Sequence, residues 1–290
     1  MKNGKIIILG IDGLEYDLVK EWKLKHLELE ASSRLELSDF GVIITPLIWA
    51  SMLTGKKEDE IERIFLERSR YFSKTSDSLK KKQRQYWHAA LMARILPKSI
   101  KTWVNKKLLP DPFKKTSHFL KKNNKRTLFD FFKNPWNNGV PAYNKCVTSD
   151  ESKKMTGIAI NGDLKPLHEF TMAMYERDKK ELFDALKKDY DLIFWYTSFL
   201  DKISHFYIVK KRKLMNIYLD LNTMVKKIRE GMGPDDVLYI ISDHGMVAVE
   251  GSLKAGDHSD HAYFSSSTGE TIQKPQELFD IVTKRGTKIP

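Results

Sequence analysis

Residues 5–13 read KIIILGIDG, an unbroken apolar run closed by a glycine-flanked aspartate. A stretch apolar at consecutive positions suits a strand buried on both faces, and the Gly10-Ile-Asp-Gly13 turn ends it before a helix-like stretch over Leu14–Trp22. The same grammar returns downstream. A helix predicted over Leu167–Lys188 leads into the strand Leu192-Ile-Phe-Trp-Tyr196, and a helical stretch over Met215–Glu230 leads into Val237-Leu-Tyr-Ile-Ile241. This alternation predicts an α/β fold: a mostly parallel central sheet with helices on both faces.

Nearer the N-terminus, Gly41-Val-Ile-Ile44 is read as a second strand. Thr45-Pro46 is a helix-start signature, with a hydroxyl at the N-cap and proline at the first helical position. The helix runs Pro46–Thr54 and stops at Gly55. A last short helix is expected over Gln276–Lys284.

The pattern changes between these core segments. Residues 57–126 read as a basic, aromatic-containing helical insertion, which leaves 1–56 and 127–290 as the catalytic core. The formal charge of the chain is +12, yet residues 68–126 carry 18 Lys/Arg against Asp77 and Asp111 alone, so the remainder sums to −4. A polyanionic partner, whether nucleic acid or an anionic membrane surface, is therefore sought at residues 68–126, where Tyr86, Trp87, Trp103 and Phe113 sit among the charges. The bland reading of the same segment is a solvated helical decoration.

Cys146 is the single cysteine, so no internal disulfide and no thiol-based metal site can form. The Ile6–Leu9 run is too short for a secretory core or a membrane span, and later apolar runs are strand-sized. A cytoplasmic protein without a transmembrane segment is expected.

Open parallel sheets bind ligands beyond the carboxyl ends of their strands. The polar residues at those places are Asp12, Thr45, Asp201 with His205, and the adjacent Asp243-His244; His258 lies in the loop Gly256-Asp-His-Ser-Asp-His261. Asp201 and His205 are four apart, so on a helix both project from one face. Zinc accepts such a mixed histidine and carboxylate set, and paired ions serve phosphoryl displacement. At a helix start, the Thr45 hydroxyl meets the positive end of the dipole, where an alkoxide and a phosphate are both stabilised. Gly10-Ile-Asp-Gly13 lacks the spacing of a dinucleotide fingerprint.

These strings resemble the type I phosphodiesterase / nucleotide pyrophosphatase family of the alkaline phosphatase superfamily. The matching stretches are Ile8–Gly13, Thr45–Gly55, Asp201-Lys-Ile-Ser-His205, Ser242-Asp-His-Gly-Met246 and His258-Ser-Asp-His-Ala262. The resemblance covers residues 5–56 and roughly 127–265. It implies Thr45 as nucleophile, Asp201, His205 and His258 around one divalent ion, and Asp12, Asp243, His244 and the Thr45 oxygen around another. It also prefers His258 to His261, by the spacing to Ala262. Two departures stand out: Lys56-Lys-Glu-Asp59 replaces the family's usual short loop ending in His-Gly, and Ser204 stands where glycine is usual.

The expected activity is metal-dependent hydrolysis of a phosphodiester or phosphate ester through a covalent Thr45 intermediate, with two ions, zinc or alternatively manganese. A nucleotide is a candidate substrate. The rival expectations are a phosphomutase or sulfatase-like activity on the same fold, or a nucleic-acid or membrane binding protein on an inactive hydrolase scaffold.

Overall fold

A computed structural model describes residues 4–41, 43–57, 59–61, 119–122, 124–144, 154, 164–249 and 256–286. In chain order the elements are β1 (Ile6–Ile11), α1 (Tyr16–Glu21), α2 (Lys25–Glu28), β2 (Ala31–Glu36), α3 (Thr45–Thr54), α4 (Phe119–Lys122), a 3-10 turn (Leu128–Phe131), β3 (Pro135–Asn137) and α5 (Leu164–Leu186). There follow β4 (Leu192–Thr197), α6 (Phe199–Tyr207), α7 (Lys211–Glu230), β5 (Val237–Ile241), β6 (Met246–Ala248), β7 (Gly256–His258), β8 (His261–Ser266) and α8 (Glu277–Thr283).

Six strands form one sheet in the order β2-β8-β5-β1-β4-β3, and β6 pairs separately with β7. β1 runs parallel to β4 and β5, and β3 runs parallel to β4. β8 is antiparallel to both of its neighbours, β5 and β2, and is the one reversed strand of the six. The sheet is thus mostly parallel, with helices around it.

The uninterrupted apolar runs are explained by burial on both faces. Every residue of β1, β4 and β5 is buried. Ile6 and Ile8 pack on one side with Trp49 and Leu53 of α3 and Leu278 of α8. Ile7, Leu9 and Ile11 pack on the other side with Val19 of α1, Tyr175 of α5, Leu200 of α6 and Leu221 of α7. Each such side chain contributes roughly 1.5–3 kcal/mol by leaving water, so neither face tolerates a polar replacement. Gly10 is required by packing, since a Cβ there would lie 2.8 Å from the Trp49 ring.

Two local expectations need correction. The run expected as a strand at 41–44 forms none among its described residues; Ile43 and Ile44 instead pack against the core as the approach to α3. The strand preceding α3 is β2, whose alternating exposure reflects its place at the sheet edge. Thr45 is the first residue of α3 rather than its cap: Ile44 is the N-cap, and its carbonyl accepts from the N–H groups of Leu47 and Ile48. The C-terminal expectation holds, with Gly55 at φ 68° and donating to the Ser51 carbonyl.

Most of the basic segment, residues 62–118, lies outside the described residues. At its two ends Ile61 and Leu120 are buried in the first of the two cores. No helix among the described residues is long and apolar enough to cross a membrane.

Candidate metal centre

β1 lies between β4 and β5, so the carboxyl ends of these three strands adjoin and the residues that follow them share one edge. Asp12 follows β1, Asp201 lies in the first turn of α6 after β4, and Asp243-His244 follow β5. Backbone bonds stitch the first two together: Asp12 N–H donates to the Thr197 carbonyl, and Asp201 N–H donates to the Asp12 carbonyl, each at 3.0 Å. Gly13 makes that approach possible. Its φ is +77°, and a Cβ there would lie 2.8 Å from the Asp201 Cα.

The reversed direction of β8 brings its first residues to this same edge. Ser242 N–H donates to the Tyr263 carbonyl and Gly245 N–H to the His261 carbonyl. The β6–β7 pair completes the wall, setting Met246 opposite His258.

The donor atoms converge. His205 Nε2 is 3.2 Å and His258 Nε2 is 3.5 Å from Asp201 Oδ1. His244 Nε2 is 3.2 Å from Asp12 Oδ1 and 3.6 Å from Asp243 Oδ2. Ligand atoms on a tetrahedral ion with bonds of about 2.0–2.1 Å stand about 3.3 Å apart, so these separations suit donors that share an ion. The His244 ring belongs both to a group with Asp201 and His258 and to one with Asp12 and Asp243, the donor atoms of each lying within 4.8 Å of one another. It also stacks on the His258 ring, with centroids 3.6 Å apart.

Buried polar atoms without partners identify what the cluster lacks. Asp12 Oδ1, Asp201 Oδ1, both oxygens of Asp243 and His244 Nε2 are buried and form no hydrogen bond. Such atoms are costly unless a ligand satisfies them, and a divalent cation fits a set made of carboxylate oxygens and an imidazole nitrogen. The histidines are oriented for it. His205 Nδ1 is 2.9 Å from the Gly256 carbonyl and His244 Nδ1 is 3.0 Å from the Gly245 carbonyl, which leaves each Nε2 turned to the cluster.

The electrostatics describe the same strain. Burial and the neighbouring Asp12 carboxylate push the Asp243 carboxyl well above the usual range. Burial draws the His244 imidazole down, but Asp243 and Asp12 outweigh it and raise the pKa to about 10. For Asp201 burial is outweighed by His205 and His258, which hold it well below the usual range; for His258 burial and the charge of His244 lower the pKa.

Thr45, at the start of α3, faces the Asp243 carboxylate and favours its ionised form. All seven residues read from the sequence thus gather at one end of the sheet. His261 is turned elsewhere: its Nε2 is 2.7 Å from Glu15 Oε1 and its Nδ1 is 3.1 Å from Asp260 Oδ1, so both nitrogens are engaged. Two residues escaped the sequence reading. The Tyr196 hydroxyl donates to Asp12 Oδ2 at 2.5 Å, and Glu15 collects donors from three chain segments. Neither carries a local signal, because Tyr196 reads as strand filling and Glu15 as a helix cap.

A mostly parallel sheet with this histidine and carboxylate edge defines the class: an α/β fold with a candidate metal site where its strands end. The chain belongs to the type I phosphodiesterase / nucleotide pyrophosphatase family, whose model matches residues 6–267. Among solved structures, it is similar to murine ectonucleotide pyrophosphatase / phosphodiesterase 5, with 12% identity and TM-score 0.43 over 85% of this chain, which spans 58% of that protein. The PH0037 protein of Pyrococcus horikoshii is 14% identical, with TM-score 0.45 over 100% of this chain and 99% of its own. The alkaline phosphatase of the Antarctic bacterium TAB5 is 12% identical, with TM-score 0.39 over 99% of this chain and 100% of its own. No curated protein matches the sequence.

Proposed function

We propose that the protein hydrolyses a phosphodiester or phosphate ester, with nucleotides among the candidate substrates, through a covalent intermediate on Thr45. The observation that carries this reading is the convergence of five unpartnered buried polar atoms, from Asp12, Asp201, Asp243 and His244, beside the first residue of α3. Asp201, His205 and His258 would hold one divalent ion, and Asp12, Asp243, His244 and the Thr45 oxygen the other, with zinc or manganese suiting the donors. When bound, the ions would neutralise phosphoryl oxygens and lower the pKa of a nearby hydroxyl.

In this reading Thr45 supplies the attacking group, consistent with its place at the start of α3 facing Asp243. The Thr45 hydroxyl gives up its proton and attacks phosphorus in line; a new Thr45 O–P bond forms as the bond to the leaving alcohol oxygen breaks, and that oxygen takes up a proton. Water then attacks the same phosphorus from the vacated side, releasing the phosphate and restoring the hydroxyl. The positive end of α3 favours negative charge on the transferring group. The basic segment 68–126 would raise the local concentration of an anionic substrate as a cap on the core formed by 1–56 and 127–290.

The test is turnover of bis(p-nitrophenyl) phosphate and p-nitrophenyl phosphate before and after exhaustive chelation, followed by zinc or manganese add-back. Loss on chelation and recovery on add-back are expected for at least one of the two. Turnover that survives metal removal overturns the reading.

A further inference from the structure

We propose that Glu15 and His261 form a buried positioning pair that locks the Asp243–Met246 turn to the His258–His261 segment, so that metal affinity depends on two residues that do not bind the ions themselves. The inference rests on the two-ion reading above.

Glu15 is buried, and both of its oxygens are occupied. Oε1 accepts from Asp17 N–H at 3.0 Å and faces His261 Nε2 at 2.7 Å. Oε2 accepts from Met246 N–H at 2.8 Å and lies 3.2 Å from Ser259 Oγ, which also lies 3.1 Å from the His261 carbonyl. One carboxylate therefore joins the turn after β1, the turn after β5 and the entry to β8. With Glu15 on one ring nitrogen and Asp260 on the other, His261 is held as the cation, and its charge offsets that of Glu15. Opposite shifts accompany the contact: burial is outweighed in both, lowering the Glu15 carboxyl and raising the His261 imidazole.

Gly245 is the point on which this pair acts. A Cβ at that position would lie 2.1 Å from Glu15 Oε2 and 2.6 Å from Ser259 Oγ, so the carboxylate is seated directly against the backbone. The N–H of Gly245 donates to the His261 carbonyl, and the next N–H, that of Met246, donates to Glu15. The Gly245 carbonyl, fixed between them, accepts from Ser259 N–H at 3.1 Å and faces His244 Nδ1 at 3.0 Å. The orientation of the His244 ring and the position of the residue after His258 are therefore set through one clamped peptide.

The trio Glu15, Asp17 and His261 also has metal-ligand chemistry, but its groups are already used. Four protein donors surround the Glu15 carboxylate, and Asp17 is paired with Arg34. Glu15 and His261 hold protein, and the neighbouring cluster holds the unpartnered atoms.

The experiment strips the wild type, Glu15→Gln and His261→Gln with chelator, then titrates each with Zn²⁺ against a chromophoric competitor and with Co²⁺ by visible absorption. The wild type is expected to bind two ions, and each variant, folded by circular dichroism, to bind Zn²⁺ about tenfold more weakly with an altered Co²⁺ spectrum. The double variant is expected to lose little beyond either single one. If Glu15→Gln does not fold, His261→Gln carries the test, because it leaves the Glu15 contacts to Asp17 and Met246 in place. Variants that fold and bind both metals as the wild type does overturn the positioning role and leave the two-ion reading standing. A wild type that binds neither metal overturns the two-ion reading, and the positioning role with it.

Discussion

The Asp201 N–H donates to the Asp12 carbonyl at 3.0 Å, a backbone bond between the first turn of α6 and the residue leaving β1. It holds the two groups of candidate metal-binding residues side by side, and it depends on Gly13. Gly13→Ala is expected to destabilise the fold by about 1–2 kcal/mol for the left-handed backbone alone, and further because its Cβ would meet Asp201 at 2.8 Å. Urea unfolding measures the loss. A variant as stable as the wild type contradicts the role given to this turn.

Removing a donor from the cluster is expected to lower bound metal and activity together. His205→Ala and Asp243→Asn each take away one donor, and metal analysis of the purified variants reads the result beside the assay. Full activity at unchanged metal content in either variant removes that residue from the ligand set. Between the two nearby histidines, His258→Ala is expected to weaken Zn²⁺ binding by at least tenfold more than His261→Ala, since His258 faces Asp201 and His261 faces Glu15.

Tyr196→Phe tests how Asp12 is aimed. The phenol hydroxyl occupies Oδ2 and leaves Oδ1 turned to His244. Its loss is expected to weaken Zn²⁺ binding about tenfold in competition titrations, while the apolar ring keeps its packing against Trp49. Unchanged affinity would show that the carboxylate is aimed by other contacts.

Away from the site, burial raises the Asp178 carboxyl from 3.8 to about 6, outweighing the Arg177 guanidinium 2.8 Å away. Its folded-state pKa exceeds its unfolded value, so the native state retains a proton between the two. The stability this contributes is complete below about pH 4 and is lost as pH rises through about 6. Asp178→Asn is expected to be more stable than the wild type at pH 8, by about 1–3 kcal/mol, and to match it near pH 4. Denaturant midpoints at the two pH values decide this.

Much of this architecture was legible because burial on both faces leaves a mark within a few residues. The runs in β1, β4 and β5 could be read without knowing their partners, and so could the polar residues that follow them. β2 and β8 could not. They pair with each other across more than two hundred residues, for example Ser33 with Phe264, and no local pattern records such a pairing. The short apolar run before α3 misled for a related reason, since a buried approach to a helix looks like a strand at that length. Glu15 shows the limit for sites: its link to Asp17 is local and visible as a cap, whereas its link to His261 exists only in the folded chain.

The covalent step through Thr45 is tested by intact-protein mass spectrometry of protein quenched during turnover of bis(p-nitrophenyl) phosphate, with wild type and Thr45→Ala compared at measured metal content. The wild type is expected to carry a p-nitrophenyl phosphoryl group on Thr45, and the alanine variant to keep most of its metal, carry no adduct and not turn over. Near-normal turnover by Thr45→Ala would contradict it, because the attacking group would then be water and no covalent step would pass through this residue.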